Sequence, residues 1–515
     1  MVRQRLPLRS WFPISASCLA ILFITIARIR LLEVPLERDE GEYAYMGQLI
    51  RDGIAPYGIA ANMKLPGVSA VYALLFSIFG ETTGAIHIGL LTVNLATGAV
   101  LFLLAKRLLN VEAGFVAAAA WVVLSSGSNV LGFWAHATHF VVLPSLLALL
   151  LLLKWNESRQ WLTLTGAGVF FGVAFLMKQH GILFALFGAA SVVAWSRGNK
   201  VRNLAAFGAA VAAPFAVTCA ILWKAGVFEN FWFWTVEYAS QYATGTPLAD
   251  GLQNFKEGIR NATIMNRAIW FIALAGSAQL AWGWRRTTST SWFIFGLLLV
   301  STAAMSPGGY FREHYFILLL PAIALCAAAA TTIRPRWSPW VVGIALLFSI
   351  FEQRRVLFSM QPTEVATTVY GENPFVAAIE VGRYLKEHSW GSARILILGS
   401  EPEILFYSRR RGATPYLYMY PMMEDQPFAQ RMQTEFIKTA EQAAPDFVVV
   451  VNVGSSWLRD EKSPQTIFDW WPHYERAHYQ PIGVANILPG LQIVEWDGSA
   501  RPTTPAHVQI LTRRD

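Results

Sequence analysis

Four carboxylates fall within six positions in the stretch VPLERDEGEYAYMGQLIRDGIAPYGIAANMKLPG, residues 34–67: Glu37, Asp39, Glu40 and Glu42. A lysine, Lys64, closes the same stretch just before Leu65-Pro66-Gly67. Two more cations stand in short polar breaks between apolar runs, Lys178 in FLMKQHG and Arg312 in YFREHYF. A carboxylate held near an acceptor hydroxyl can take its proton as the hydroxyl attacks, the work of a general base. Partial desolvation tunes such an acid. Lysine meets a phosphate as a point charge, and arginine meets it at two points. Acids beside cations therefore point to a group transfer in which a phosphate leaves.

The elements that must position these groups are membrane spans. Hydrophobic residues make up 54% of the 515 and charged residues only 14%, against about a quarter charged in soluble domains. Apolar runs of roughly 17 to 25 residues, enough to cross a hydrocarbon layer, recur through the first two thirds of the chain. The predicted spans are 11–29, 86–104, 112–127, 131–153, 161–177, 181–196, 203–223, 267–283, 290–304, 314–331 and 338–354. The first is read as a retained span, since no small-residue cleavage site closes it.

Basic clusters set the orientation. Arg3, Arg5 and Arg9, then Lys106-Arg107, Lys154 with Arg159, Arg197 with Lys200 and Arg202, Arg285-Arg286, and Arg334 with Arg336 alternate with nearly uncharged connections. The positive-inside rule makes these cytoplasmic. The net charge of +8 is spread over these clusters and forms no phosphate footprint, so no nucleic-acid partner is expected. The N-terminus is then cytoplasmic, and everything after 355 lies outside the membrane on the other face. The run 68–80, VSAVYALLFSIFG, is too short to cross and is read as interfacial. The aromatic segment 224–266, the connection 305–313 and the loop 30–85 share the outward face, where interfacial Trp and Tyr belong.

After residue 356 the composition changes. Compact apolar strands such as ARILILG (393–399) and DFVVVVNVG (446–454) alternate with amphipathic stretches such as NPFVAAIEVGRYLKEH (373–388). Such alternation predicts a small α/β domain over 357–515, following a membrane domain over 1–356. ILILGSEP lacks the glycine pattern of a dinucleotide turn. Cys18, Cys219 and Cys326 all sit in apolar runs and predict neither disulfides nor a thiolate site.

On the motifs RDEGEYAY, MKLPGVSAVYALLFSIFG, KQHG and FREHYFILLLPAIAL, residues 10–355 resemble the bacterial GT-C glycosyltransferases of the protein mannosyltransferase and lipid A aminoarabinose transferase-like group. The resemblance implies a polytopic α-helical fold with about eleven spans, interfacial helices and an extracytoplasmic α/β domain. It implies an inverting transfer of a sugar from a polyprenyl-phosphate donor to a hydroxyl of a lipid, glycan or protein, at the periplasmic side of a bacterial inner membrane.

By motif match Asp39 is the base, Glu40 orients it or the acceptor, and Lys64 contacts the donor phosphate. Lys178 and Arg312 join the phosphate set by position and chemistry. Glu42, Tyr43, His136, His139, His180, His314 and Tyr315 are further substrate contacts. No cofactor is expected, and the histidine spacing matches no strong metal motif. Two departures stand out. GFWAHATHF has His136 and Thr138 where many relatives carry Asn and Glu, and Gly67 replaces the second proline of a Lys-Pro-Pro element. Two alternatives stay open. One is a polyprenyl-linked glycan ligase or oligosaccharyltransferase; the other, a secondary transporter, is disfavoured by charges gathered at one face and by the lack of an inverted repeat.

Overall fold

In a computed structural model, residues 11–282, 288–333 and 338–514 are described. The clusters at Arg3, Arg5, Arg9, Arg285, Arg286, Arg334 and Arg336 lie outside the described residues. Helices occupy most of each predicted span. Trp11–Arg30, Thr83–Leu108, Ala137–Ser158 and Lys200–Lys224 are each long and apolar enough to cross a membrane. Shorter helices fill the others: Val111–Leu124, Trp161–Met177, Gly181–Trp195, Arg267–Trp282, Thr288–Ala304, Leu320–Ala329 and Ser338–Glu352. Many of their large apolar side chains stay on the surface, among them Leu22, Leu186, Ile221, Phe271 and Leu299. An apolar exterior over packed helices is what a lipid solvent requires, because each helix satisfies its own backbone.

One predicted span is built differently. Residues 314–331 break into a 3₁₀ turn, Glu313–Leu318, and a ten-residue helix, Leu320–Ala329, with Pro321 in its first turn. Proline sets φ for a helix start, so the break falls there. Every residue of the short helix is buried. Small side chains allow the close approach: a Cβ on Gly276 of the neighbouring helix would collide with the Cys326 carbonyl.

The acidic stretch forms a buried helix, Arg38–Arg51, capped when the Glu37 carboxylate accepts the Glu40 N–H at 2.8 Å. Residues 40–49 of this helix are all buried. One side packs on the 13-residue helix Gly67–Phe79, whose Leu74, Ile78 and Phe79 remain exposed. The other side packs on Pro402–Ser408, and the approach there depends on glycine. A Cβ at Gly41 would lie 2.5 Å from the Glu403 nitrogen. Gly41→Ala is therefore expected to destabilise the fold by at least the roughly 1–3 kcal/mol of an overpacked core. Thermal unfolding of the purified variant measures this, and an unshifted midpoint would refute the tight interface.

Beyond the bundle, six strands form one mixed sheet: β1 (Arg394–Leu398), β2 (Arg411–Gly412), β3 (Phe447–Asn452), β4 (Tyr479–Leu488), β5 (Leu491–Glu495) and β6 (His507–Arg513). Their order is β2-β1-β3-β6-β4-β5. β1 runs parallel to β2 and β3, and the remaining pairings are antiparallel. The helix Phe375–Glu387 follows the amphipathic stretch read from the sequence. The segment after β2 runs back toward the bundle, where the Ala61 N–H donates to the Pro415 carbonyl at 3.0 Å. That contact brings residues 416–424 over the acidic helix.

Candidate active site

Asp39 and Glu42 are three residues apart on the acidic helix and so share a face. Lys64 enters from the loop that precedes Gly67–Phe79 and sits between them, its Nζ 2.6 Å from Asp39 Oδ1 and 2.5 Å from Glu42 Oε2. The ammonium also lies 4.8 Å from the Tyr43 ring centre. Tyr418, from the segment after β2, donates its hydroxyl to Glu42 Oε2 at 2.9 Å and lies 3.3 Å from Asp39 Oδ1. Tyr420 stacks on Tyr418 with ring centres 5.4 Å apart.

Electrostatics separate the three charged groups. Burial works against ionisation of Asp39, but Lys64 and the neighbouring His136 outweigh it and hold the carboxyl well below its ordinary value. Burial also opposes the charge on Lys64, and Asp39 with Glu42 overcome it, keeping the ammonium charged well above its usual range. For Glu42, burial prevails over Lys64 and raises its pKa. Glu37 is pushed up to about 7, chiefly by burial. Asp39 and Lys64 thus form the settled ion pair, and Glu42 is the acid that depends on its hydrogen bonds. Removing the Tyr418 hydroxyl takes away one of them. Tyr418→Phe should cost about 1.5–3 kcal/mol, as for a hydrogen bond to a charged group, read as a lower unfolding midpoint. A midpoint equal to wild type would show that the bond contributes nothing.

A cavity of about 610 Å³ opens on this cluster. Asp39 reaches it with 26% of its side chain exposed. Lys64, Lys178, Arg312, Tyr43, His136, His180, His314 and Tyr315 share its wall. Lys178 Nζ sits 3.9 Å from the Tyr315 ring centre, and the His180 ring donates to the Ala304 carbonyl at 2.7 Å. Lys178 and Arg312 form no ion pair among the described residues, whereas Lys64 is engaged by two acids. The three cations expected together at a phosphate are divided accordingly.

Three of the sequence-derived residues stand behind the wall. Glu40 is fully buried, accepts the Ala135 N–H at 2.5 Å and faces His87 Nε2 at 3.1 Å. It ties the acidic helix to the bundle. His139 is fully buried beside Asn94, its Nδ1 3.1 Å from Oδ1. Glu42 is buried against Lys64 and Tyr418.

Sequence reasoning missed several wall residues: Tyr238, Tyr242 and Glu424, with Tyr238 donating to Glu424 at 2.7 Å, as well as Tyr418 and Tyr420. The aromatic richness of 224–266 was the only signal for the first two. Nothing local marks residues 418–424. The structure also gathers Asp39, His136 and His314, whose ligand-type atoms all lie within 4.8 Å of one another. Their separation in sequence concealed the group.

Fold and cavity define a polytopic α-helical membrane protein of GT-C-like architecture with a C-terminal sheet-containing domain. The profile of the family described as dolichyl-phosphate-mannose-protein mannosyltransferase matches residues 63–223. ArnT from Cupriavidus metallidurans bound to undecaprenyl phosphate superimposes with a TM-score of 0.60 at 12% identity, covering 98% of each chain. The same protein in the apo state gives 0.58 at 14%, over 97% of each chain. The archaeal oligosaccharyltransferase AglB from Archaeoglobus fulgidus, in complex with an inhibitory peptide and a dolichol-phosphate, gives 0.51 at 12%, over 96% of this chain and 75% of its own. No curated protein matches. At such identities the shared property is the fold, common to all three and selecting no subfamily.

Proposed function

We propose that this chain is an inverting glycosyltransferase that moves a sugar from a polyprenyl-phosphate donor to a hydroxyl acceptor at the periplasmic face of the bacterial inner membrane. The observation that carries this reading is one cavity lined by a partly exposed, ionised carboxylate, Asp39, and by two cations, Lys178 and Arg312, that have no acid partner among the described residues. The solved structures bound to undecaprenyl phosphate and to a dolichol-phosphate share the fold. Residues 1–356 are assigned to the membrane domain and 357–515 to a periplasmic domain, with the N-terminus cytoplasmic.

In the proposed reaction the acceptor oxygen attacks the anomeric carbon from the face opposite the phosphate. The new C–O bond forms as the bond to the phosphate oxygen breaks, and its electron pair leaves with the phosphate. Asp39 takes the acceptor proton. Lys178 and Arg312 hold the departing phosphate, where charge develops and fixed cations help most. Lys64 keeps Asp39 ionised and oriented, next to the phosphate position. A polyprenyl-linked glycan would fit the same chemistry, so the donor's sugar must be identified directly. Mass spectrometry of lipids co-purifying with wild type and with Asp39→Asn does this. A polyprenyl-phosphate sugar enriched in the variant supports the transferase; bulk phospholipid in both preparations argues against it.

Lys178 makes donor binding depend on pH. Burial, with Lys64 and Arg312 nearby, lowers its pKa to about 7 despite the opposing pull of Asp39. It is charged below that value and neutral above it. Affinity for a phosphodiester donor, whose own charge is constant in this range, should fall as pH rises through about 7, by up to about tenfold per unit for one coupled proton. Lys178→Arg, always charged, should flatten the profile. An identical slope in both proteins would remove Lys178 from the phosphate site.

A further inference from the structure

The span Thr83–Leu108 carries Lys106 and Arg107 in its last turn, and at its other end the Thr82 hydroxyl accepts the Ala85 N–H at 3.1 Å. Its 26 residues rise about 39 Å, more than the roughly 30 Å hydrocarbon layer, so both ends reach the headgroups. Glu81 stands just before the cap, at that depth, and the neighbouring helix Gly67–Phe79 leaves Leu74, Ile78 and Phe79 exposed. The Glu81 carboxylate meets two guanidiniums there. Arg51, in the last turn of the acidic helix, pairs with Oε1; Arg409 holds its Nε 3.6 Å from Oε2 and donates from Nη2 to the Glu81 carbonyl at 3.4 Å. The two arginine side chains are 36% and 48% exposed. One acid between two arginines leaves a positive charge facing outward. Next to them Arg411, on the edge strand β2, and Lys386 are exposed and form no ion pair among the described residues, so the corner stays net positive with Asp52 and Glu387 included. Arg410 ties this strand to the following turn, donating to the Lys386 and Ser389 carbonyls at 2.7 and 2.8 Å, and Trp390 just beyond is 86% exposed.

We propose that Arg51 and Arg409 form a headgroup site for an anionic phospholipid, seating the edge of the six-stranded sheet on the bilayer beside Gly67–Phe79. Arginines at the end of the span opposite Lys106 and Arg107 run against the usual one-sided distribution of basic residues and call for a local partner. A guanidinium meets a phosphate at two points. An anionic headgroup balances the charge that Glu81 leaves over, whereas the ammonium of a zwitterionic lipid is repelled by it. Exposed Leu74, Ile78 and Phe79 meet the acyl region, and Trp390 suits the interface. Neither Arg51, Glu81 nor Arg409 lines the cavity, and the site does not require the transferase reading.

The test is native mass spectrometry of the detergent-purified full-length protein titrated with phosphatidylglycerol and, separately, with phosphatidylcholine of the same acyl chains. The wild type should retain one more molecule of the anionic lipid than of the zwitterionic one. Arg51→Gln and Arg409→Gln should each weaken that binding about fivefold, the effect of one basic group lost from a membrane surface. Lys438→Gln, which removes an exposed cation from the helix Ala429–Ala443, should leave it unchanged. Glu81→Gln frees both guanidiniums and should strengthen it, whereas loss of a merely structural clasp would weaken it. Unfolding midpoints verify that each variant is folded, and Arg51→Gln decides the matter if Arg409→Gln is not. Equal retention of the two lipids, unchanged affinity in both arginine variants, weaker binding in Glu81→Gln, or displacement by equimolar inorganic phosphate, the mark of a free-anion site, would each overturn the proposal. Lipids co-purifying with Asp39→Asn judge the transferase separately, so either reading survives the failure of the other.

Discussion

Asp39→Asn should lower turnover by about 10²–10⁴-fold, the contribution typical of a positioned general base, while the donor lipid stays bound. The amide keeps the size and one hydrogen-bonding oxygen of the carboxylate but cannot take the acceptor's proton. The asymmetry between rate and binding identifies the role. In the proposed reaction Lys178 and Arg312, and not Asp39, hold the donor phosphate, so a purely structural defect would reduce both quantities together. Radiolabelled transfer measured beside lipid mass spectrometry reads the two separately. Turnover within threefold of wild type would end the assignment of Asp39 as the base.

Lys64→Met should be the most damaging substitution for stability. It removes the cation that contacts both Asp39 and Glu42 and leaves Glu42, whose side chain is 1% exposed, beside a second acid. Breaking a buried ion pair by deleting one partner costs about 3–5 kcal/mol. Two distinct signs follow from the electrostatics. Lowering the pH should partly restore the variant, because protonating Glu42, whose pKa is already raised, removes the uncompensated charge. Adding Glu42→Gln in the same chain should recover part of the loss for the same reason, a coupling that a double-mutant cycle measures. Equal unfolding midpoints for wild type and Lys64→Met would mean that the ion pair contributes nothing.

Much of the architecture was legible because a bilayer imposes long, continuous patterns. The run Trp11–Arg30 and its successors announce themselves by length and apolarity, and most predicted spans are largely one helix. Residues 314–331 show where the pattern stops being informative: hydropathy cannot distinguish a helix facing lipid from one surrounded by other helices. In the last third, ARILILG and DFVVVVNVG became the adjacent parallel strands β1 and β3, while strand order depended on pairings up to 65 positions apart, such as Phe447 with Thr512.

The site divides in the same way. By residue type and spacing, the sequence determined that acids and cations gather at one end of a membrane bundle, but it read 30–85 as a loop, and the helix that puts Asp39 and Glu42 on one face came from the structure. Tertiary structure decided that Glu40 turns inward to Ala135, that Lys64 is committed to two acids, and that Lys178 and Arg312 are not. It also brought Tyr418 from the far end of the chain onto Glu42 and placed His136 against His314 beside Asp39. The physical reason is that the energy of a buried charge depends on which groups surround it within a few ångströms. Those neighbours come from helices and loops whose packing no local pattern specifies.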